Sequence, residues 1–288
     1  MRAKAYAFDT GDFSQSADGT LTVRFAFRRQ MKQDTHQRPS MIRPLTMLCL
    51  AALTSCAVLA QDAQPTPLSY DCHRTTTPIH IDGKLDDPAW QQAKWTSDFV
   101  DIEGAAKPTP RFRTRVKMLY DDKYLYIAAE LQEPNVAATL REHDSVIFHD
   151  NDFEVFIKPL PQTESYYEFE MNAFNTGWDL FLNKPYNENG KPDNSWDILG
   201  LKTAVAVQGT LNNPNDTDQG WTLEIAYPLH AFDSRQTVPP PQPGTVWRIN
   251  FSRVEWKPGN PKEDNWVWSP QSVINMHVPD RWGYLRFR

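Results

Sequence analysis

From residue 113 to residue 131 the chain alternates with a period of two. Arg113, Arg115 and Lys117 fall on one face, and Val116, Met118 and Tyr120 on the other. Asp121-Asp122-Lys123 then supplies a tight turn, and residues 124–131 return as a second apolar run. Strict alternation marks a half-buried strand, and two such runs across a short polar turn predict a hairpin. Residues 153–158, stopped by Pro159, and 166–174 predict another antiparallel pair, with Asn175-Thr176-Gly177 turning the chain into 178–181. Residues 201–207, 221–227 (closed by Pro228), 246–254 and 282–287 predict further strands. A short strand is also expected at 78–83. Only 86–93 predicts a helix, with Asp86 or Asp87 as the cap and Pro88 in its first position. The stretches 134–150, 183–200, 209–220 and 255–270 carry polar and turn chemistry and are expected as loops. Many short strands without a long amphipathic helix predict an all-β fold, an antiparallel β-sandwich of the two-sheet jelly-roll or immunoglobulin-like kind with one or two short helices.

The first 69 residues have a different character. Arg43-Pro44 leads into an apolar run, 45–59, which is the pattern of a secretory signal. The reading is a signal peptide over 41–60, a tether over 61–69 and one domain from 70 to 288. Residues 1–40 are then a non-native or disordered extension, with translation starting at Met31 or Met41. Val58-Leu59-Ala60 before Gln61 suits peptidase cleavage, and Leu53-Thr54-Ser55-Cys56 suits lipidation at Cys56, the one route to a membrane. Both imply export to the periplasm, the outer membrane or the medium. With Cys49 and Cys56 in the leader, Cys72 is left without an internal disulfide partner, so stability must come from the core.

Composition sharpens this picture. All ten Trp lie between Trp90 and Trp282, which suits strands and loops, and 23 Pro argue against a helical bundle. The net charge of −6 shows no basic footprint for nucleic acid. Oligomeric state leaves no trace in the sequence.

Five stretches, in order, resemble the family-9 carbohydrate-binding module and its stand-alone, DOMON-like relatives. They are Ile81-Asp82-Gly83-Lys84-Leu85-Asp86-Asp87-Pro88-Ala89-Trp90; Tyr120-Asp121-Asp122-Lys123-Tyr124-Leu125-Tyr126; Asn151-Asp152-Phe153-Glu154-Val155-Phe156; Gly220-Trp221-Thr222-Leu223-Glu224-Ile225; and Trp282-Gly283-Tyr284-Leu285-Arg286-Phe287. The resemblance implies a sandwich that binds a polysaccharide or oligosaccharide without chemistry of its own, as do the modules attached to xylanases. It also implies calcium ions that brace the loops. Such modules clamp a sugar end between two Trp. The matching positions here are Phe148 and the neighbourhood of Met276 and His277. The family's strand Glu is kept as Glu154 and its Asn as Asn172, while a family Arg is replaced by Glu170.

A pyranose needs a flat apolar face for its C–H groups and planar hydrogen bonders for its hydroxyls. Trp178, Trp196, Trp256 and Trp266 lie in or beside expected loops and are candidate platforms; the other reading of each ring is a core or loop-bracing aromatic. Trp90, Trp221, Trp247 and Trp282 lie in regular elements and are expected in the core. Asp144, Asp150 and Asp152, with Asn151, offer clustered oxygens of the kind that hold structural calcium. Two other functions are compatible with the residues. Glu154 and Glu170 on adjacent strands could form the carboxylate pair of a glycoside hydrolase acting on O-glycosyl bonds. His143, His149 or Met276-His277 could ligate haem in a periplasmic redox domain.

Overall fold

A computed structural model describes residues 66–257 and 259–288. The expected extension, signal peptide and Cys56 lie outside the described residues. Thirteen strands occur among them: β1 Ser69–Arg74, β2 Val100–Asp101, β3 Thr114–Tyr120, β4 Tyr124–Gln132, β5 Asp152–Lys158, β6 Tyr166–Asn172, β7 Gly177–Leu182, β8 Pro192–Asp193, β9 Lys202–Gln208, β10 Gly220–Pro228, β11 Val246–Trp256, β12 Glu263–Val267 and β13 Gly283–Phe287. Their order is β8-β7-β6-β5-β11-β13-β1-β3-β4-β10-β9, with β12 paired to β11 and β2 paired to β12. The sheet curls into the two layers of a β-sandwich. β1 joins the layers: Ser69–Cys72 pair with β13, and His73 and Arg74 pair with β3. Both pairings are parallel, so the sheet is mixed, where the sequence suggests antiparallel pairing throughout.

Alternation places one set of side chains between the layers. Phe153, Val155 and Ile157 of β5, Tyr167, Phe169 and Met171 of β6, and Trp247, Ile249 and Phe251 of β11 come from one layer. Val116 and Met118 of β3, Leu125 and Ile127 of β4, and Leu223 and Ile225 of β10 come from the other. Each fully buried side chain of this size contributes about 1.5–3 kcal/mol relative to exposure. Trp90, Trp221, Trp247 and Trp282 are buried as expected.

Local chemistry explains the turns. At the β3–β4 hairpin, Asp121 Oδ1 accepts the N–H groups of Lys123 and Tyr124, and Oδ2 accepts the Tyr126 hydroxyl. A side chain that bonds its own backbone two residues on is a turn former. The expected helix at 86–93 is a 3₁₀ turn, Pro88–Gln92. Asp87 stands at its cap, but its carboxylate accepts the N–H of His80 instead of capping.

The expected strand at 78–83 does not form. Glu224, buried on β10, accepts the N–H groups of Asp82 and Gly83 and the indole N–H of Trp90. Those backbone groups are therefore satisfied by a carboxylate and not by a ladder. Gly83 lies at φ +83°, and a Cβ there would meet the β9 backbone at 2.6 Å. Glu224 thus ties two of the sequence motifs together.

Candidate functional site

The ladder between β5 and β11 runs from Lys158–Arg248 to Glu154–Ser252 and then stops. Beyond it, side chains take over: Asp152 Oδ1 accepts the N–H of Val254 at 2.9 Å, and Asn151 Oδ1 accepts that of Trp256 at 2.8 Å. The Trp256 indole N–H donates to the Phe148 carbonyl at 2.8 Å. Trp256 is therefore held at its backbone and its ring edge while its side chain stays half-buried. It lines a groove of about 540 Å³, within the usual range of about 300–1,000 Å³ for small-ligand pockets.

The groove's other walls come from four segments. Arg111 and Phe112 form one side, with the guanidinium 4.9 Å above the Phe112 ring and also bonded to Asp264. Glu133 and Glu255 contribute carboxylates, both bound to the buried guanidinium of Arg253. Asn135 and Asn213 bring amides, and His149 and Asp150 close the opposite side. Burial raises the Glu255 carboxyl to about 8; Arg253 opposes the shift, and the nearby Glu133 charge adds to it.

On the other side of the turn Ile147–His149 lies the outer face of β5, β6 and β7. Register sets Glu154 opposite Glu170, and Glu170 opposite Trp178. Phe148 leans its ring on Trp178 at 6.3 Å and donates its N–H to Glu170 at 3.0 Å. His277 packs edge-on against Tyr186 at 4.5 Å, and its Nδ1 shares a 2.7 Å hydrogen bond with the Tyr166 hydroxyl. The structure thus gathers Phe148, Glu154, Glu170, Trp178 and His277 on one face. There the aromatic rings pack on one another, and Glu154 and Glu170 are only 5% and 2% exposed. Burial pushes the Glu154 carboxyl up to about 7. Burial, then neighbouring carboxylates, drives those of Asp152, Glu168 and Glu170 well above the ordinary range.

Several expected site residues have other work. Trp196 and Trp266 are 2% and 3% exposed and belong to the main core, so they cannot serve as platforms. The Trp196 indole bonds Ser234, and Trp266 sits on β12, in a stretch read as loop. Asn172 donates to Asp150 and the Leu140 carbonyl and accepts from Phe174 and Thr176, which leaves no capacity for a sugar hydroxyl. The expected calcium set of Asp144, Asp150 and Asp152 is not assembled. Asp150 accepts three bonds from Thr139 and Leu140 as well as that from Asn172. Asp144 is exposed beside His143 and Asp197, while Asp152 is buried with Glu154 and Glu170. A glycosidase pair is also unsupported: Glu154 and Glu170 are 5% and 2% exposed, and Glu170 already accepts the N–H of Phe148, so neither stands open to a glycosidic bond.

Arg111, Phe112, Glu133 and Asn135 were not legible as site residues, because only the tertiary fold brings them beside Trp256. Trp95 was also missed. It is half-buried, with Arg115 4.2 Å and Lys117 4.6 Å from its ring centre.

A two-layer sandwich with an aromatic-lined groove at one end defines a ligand-binding module. The chain belongs to the carbohydrate family 9 binding domain-like family, whose model matches residues 81–288. It is 30% identical over 174 residues to the exoglucanase XynX of Acetivibrio thermocellus, spanning 59% of this chain and 13% of that protein. The chain therefore spans only a small part of this relative. Among solved structures, a Bacteroides uniformis protein superposes with TM-score 0.58 at 19% identity, covering 77% of this chain and 99% of that one. A family 9 carbohydrate-binding module from Caldicellulosiruptor kristjanssonii, solved in complex with cellotriose, gives TM-score 0.52 at 18% identity, covering 76% and 93%.

Proposed function

We propose that this protein is a non-catalytic carbohydrate-binding module whose saccharide lies in the groove beside Trp256. The observation that carries this reading is the groove itself. A half-buried indole, fixed at two points, lines the groove together with the amides of Asn135 and Asn213. That is the pairing of apolar plane and hydrogen bonders that a pyranose requires. Family membership and the saccharide-bound Caldicellulosiruptor module support the same reading. The outer face of β5–β7 serves less well, since Phe148 and Trp178 lean on one another and His277 packs against Tyr186. Export, through the apolar run 45–59 and with or without a lipid on Cys56, would place the groove where glycans are met.

Calorimetric titration with cello- and xylo-oligosaccharides tests this proposal. Trp256→Ala is expected to weaken binding about 10–100-fold, the worth of about 1.4–2.8 kcal/mol. Trp256→Phe should retain part of it, and Trp178→Ala should leave it within about threefold, under about 0.7 kcal/mol. Absence of binding to any saccharide would refute the function. Loss with Trp178→Ala and not with Trp256→Ala would move the site to the other face.

A further inference from the structure

Asp179 stands on β7 opposite Phe169, so its side chain leaves the strand on the other side from that of Trp178. That side chain is 3% exposed. Its Oδ2 accepts the N–H of Ile198. Its Oδ1 is buried without a hydrogen-bond partner and faces His143, whose Nε2 lies 3.3 Å away. The other ring nitrogen of His143, Nδ1, lies 3.1 Å from Asp144 Oδ1. Asp197, next to Ile198, completes the group. His143, Asp144 and Asp197 are all exposed, and each brings one donor atom within 4.8 Å of the others.

An ordinary ion pair does not account for this arrangement. One imidazole meets three carboxylates, and among the described residues no Lys or Arg pairs with them. Burial raises the Asp179 carboxyl to about 6; His143 opposes the shift, and the charges of Asp144 and Asp197 add to it. A buried carboxylate oxygen normally has a partner. The ring supplies the direction. Nε2 looks at buried Asp179, so Nδ1 is the nitrogen left to Asp144 and Asp197. A metal-bound histidine donates its second ring N–H to a carboxylate, which fixes its tautomer and raises its basicity. Asp179 Oδ1 stands where that acceptor is needed. The separation of Nδ1 from Asp144 Oδ1 is close to the roughly 3.4 Å between two ligands of a tetrahedral zinc ion, each about 2.0–2.1 Å from the metal. Imidazole beside carboxylate suits zinc and its transition-metal neighbours, whereas calcium takes oxygen ligands.

We propose that His143 Nδ1, Asp144 and Asp197 bind one transition-metal ion of the zinc class, with Asp179 as the positioning residue behind the imidazole. Water would fill the fourth position, as in other three-ligand zinc sites. The group is not the calcium set expected over Asp144, Asp150 and Asp152, and it lies apart from the face that carries Glu154 and Glu170. Its ion would tie the loop before the Ile147–His149 turn to the segment that anchors Trp196 in the core. None of the four residues lines the Trp256 groove, so the proposal stands apart from saccharide binding.

The test uses untagged full-length protein, stripped with EDTA, dialysed and titrated with ZnCl₂ by calorimetry. One Zn²⁺ per chain is expected, and an excess of CaCl₂ should not displace it. His143→Gln and Asp197→Asn, both at exposed positions, should each weaken uptake at least tenfold, and Asp179→Asn about 10–100-fold. His230→Gln should leave uptake unchanged. Two-bond ¹H–¹⁵N spectra of the zinc-loaded protein should show His143 with Nδ1 on the metal and Nε2 protonated. Asp179→Asn should loosen that fixed tautomer, which a purely structural role would not do. Folded protein that takes up no Zn²⁺ would overturn the proposal. So would uptake that survives both His143→Gln and Asp197→Asn, displacement by Ca²⁺, or a metal on Nε2. Should Asp179→Asn fail to fold, the His143 tautomer in the unaltered protein decides.

Discussion

Replacing Arg253 with Met is expected to lower the free energy of unfolding by about 3–5 kcal/mol, the usual cost of removing one partner from a buried ion pair. Arg253 is fully buried, and its guanidinium donates to both Glu133 and Glu255, to Thr114 and to a backbone carbonyl. Its aliphatic stem is no wider than Met, so packing changes little. What changes is the loss of the cation that both buried carboxyls bond: Glu133 and Glu255, 3% and 2% exposed, would be left without the guanidinium's hydrogen bonds and charge. Urea unfolding measures the loss as a shifted midpoint at constant slope. The triple variant Arg253→Met, Glu133→Gln, Glu255→Gln should recover most of it, because neutral groups replace the stranded charges. A single variant within 1 kcal/mol of the parent would contradict this account. The same substitution should also weaken saccharide binding at temperatures where the fold persists, since Arg253 fixes two carboxylates in the groove wall.

Legibility in the sequence followed locality. The β3–β4 hairpin could be read because alternation and the Asp121 turn are both written within a few residues. β1 could not be read, since Ser69–Arg74 is a strand only by virtue of parallel partners at the far end of the chain and at β3. β12 was hidden for a similar reason: Glu263–Val267 follows a Pro- and Gly-containing stretch and is recruited by β11. Glu154 facing Glu170 could be anticipated from two adjacent strands, but the convergence of Asp152 and Ser252 on them depends on register across three strands. Asp150 shows the opposite failure. In sequence it sits in a row of calcium-like oxygens, yet backbone donors from 139 and 140, ten residues away, have already filled its carboxylate. The groove lay furthest from view, because its walls come from segments more than a hundred residues apart that meet only after both layers close.

The second large effect is on the dependence of stability on pH. Among the buried carboxyls raised in the fold are Asp179, to about 6, and Glu255, to about 8, in each case chiefly by burial; burial raises Glu224 as well. A raised acid favours the protonated folded state, so its stabilisation is complete below the unfolded pKa and is lost as pH rises through the folded value. His277 works the other way. Burial lowers it to about 4, so its contribution is present above about 6.5 and is lost as pH falls. Between pH 4.5 and 6 two acids oppose one histidine, and stability declines with rising pH. From 6.5 to 8 the histidine no longer compensates, and at about 1.36 kcal/mol per unit Glu255 alone contributes a decline of about 2 kcal/mol. For a chain of this size that corresponds to a melting temperature about 4–8 °C lower at pH 8 than at pH 6.5. The buried carboxyls of β5 and β6 are displaced in the same direction, so they can only steepen the fall. Glu255→Gln should flatten the limb above pH 6.5, and His277→Gln should steepen the limb below it. Stability that instead rises from pH 6.5 to 8 would show that Glu255 stays charged in the fold, with Arg253 outweighing the cost of burial.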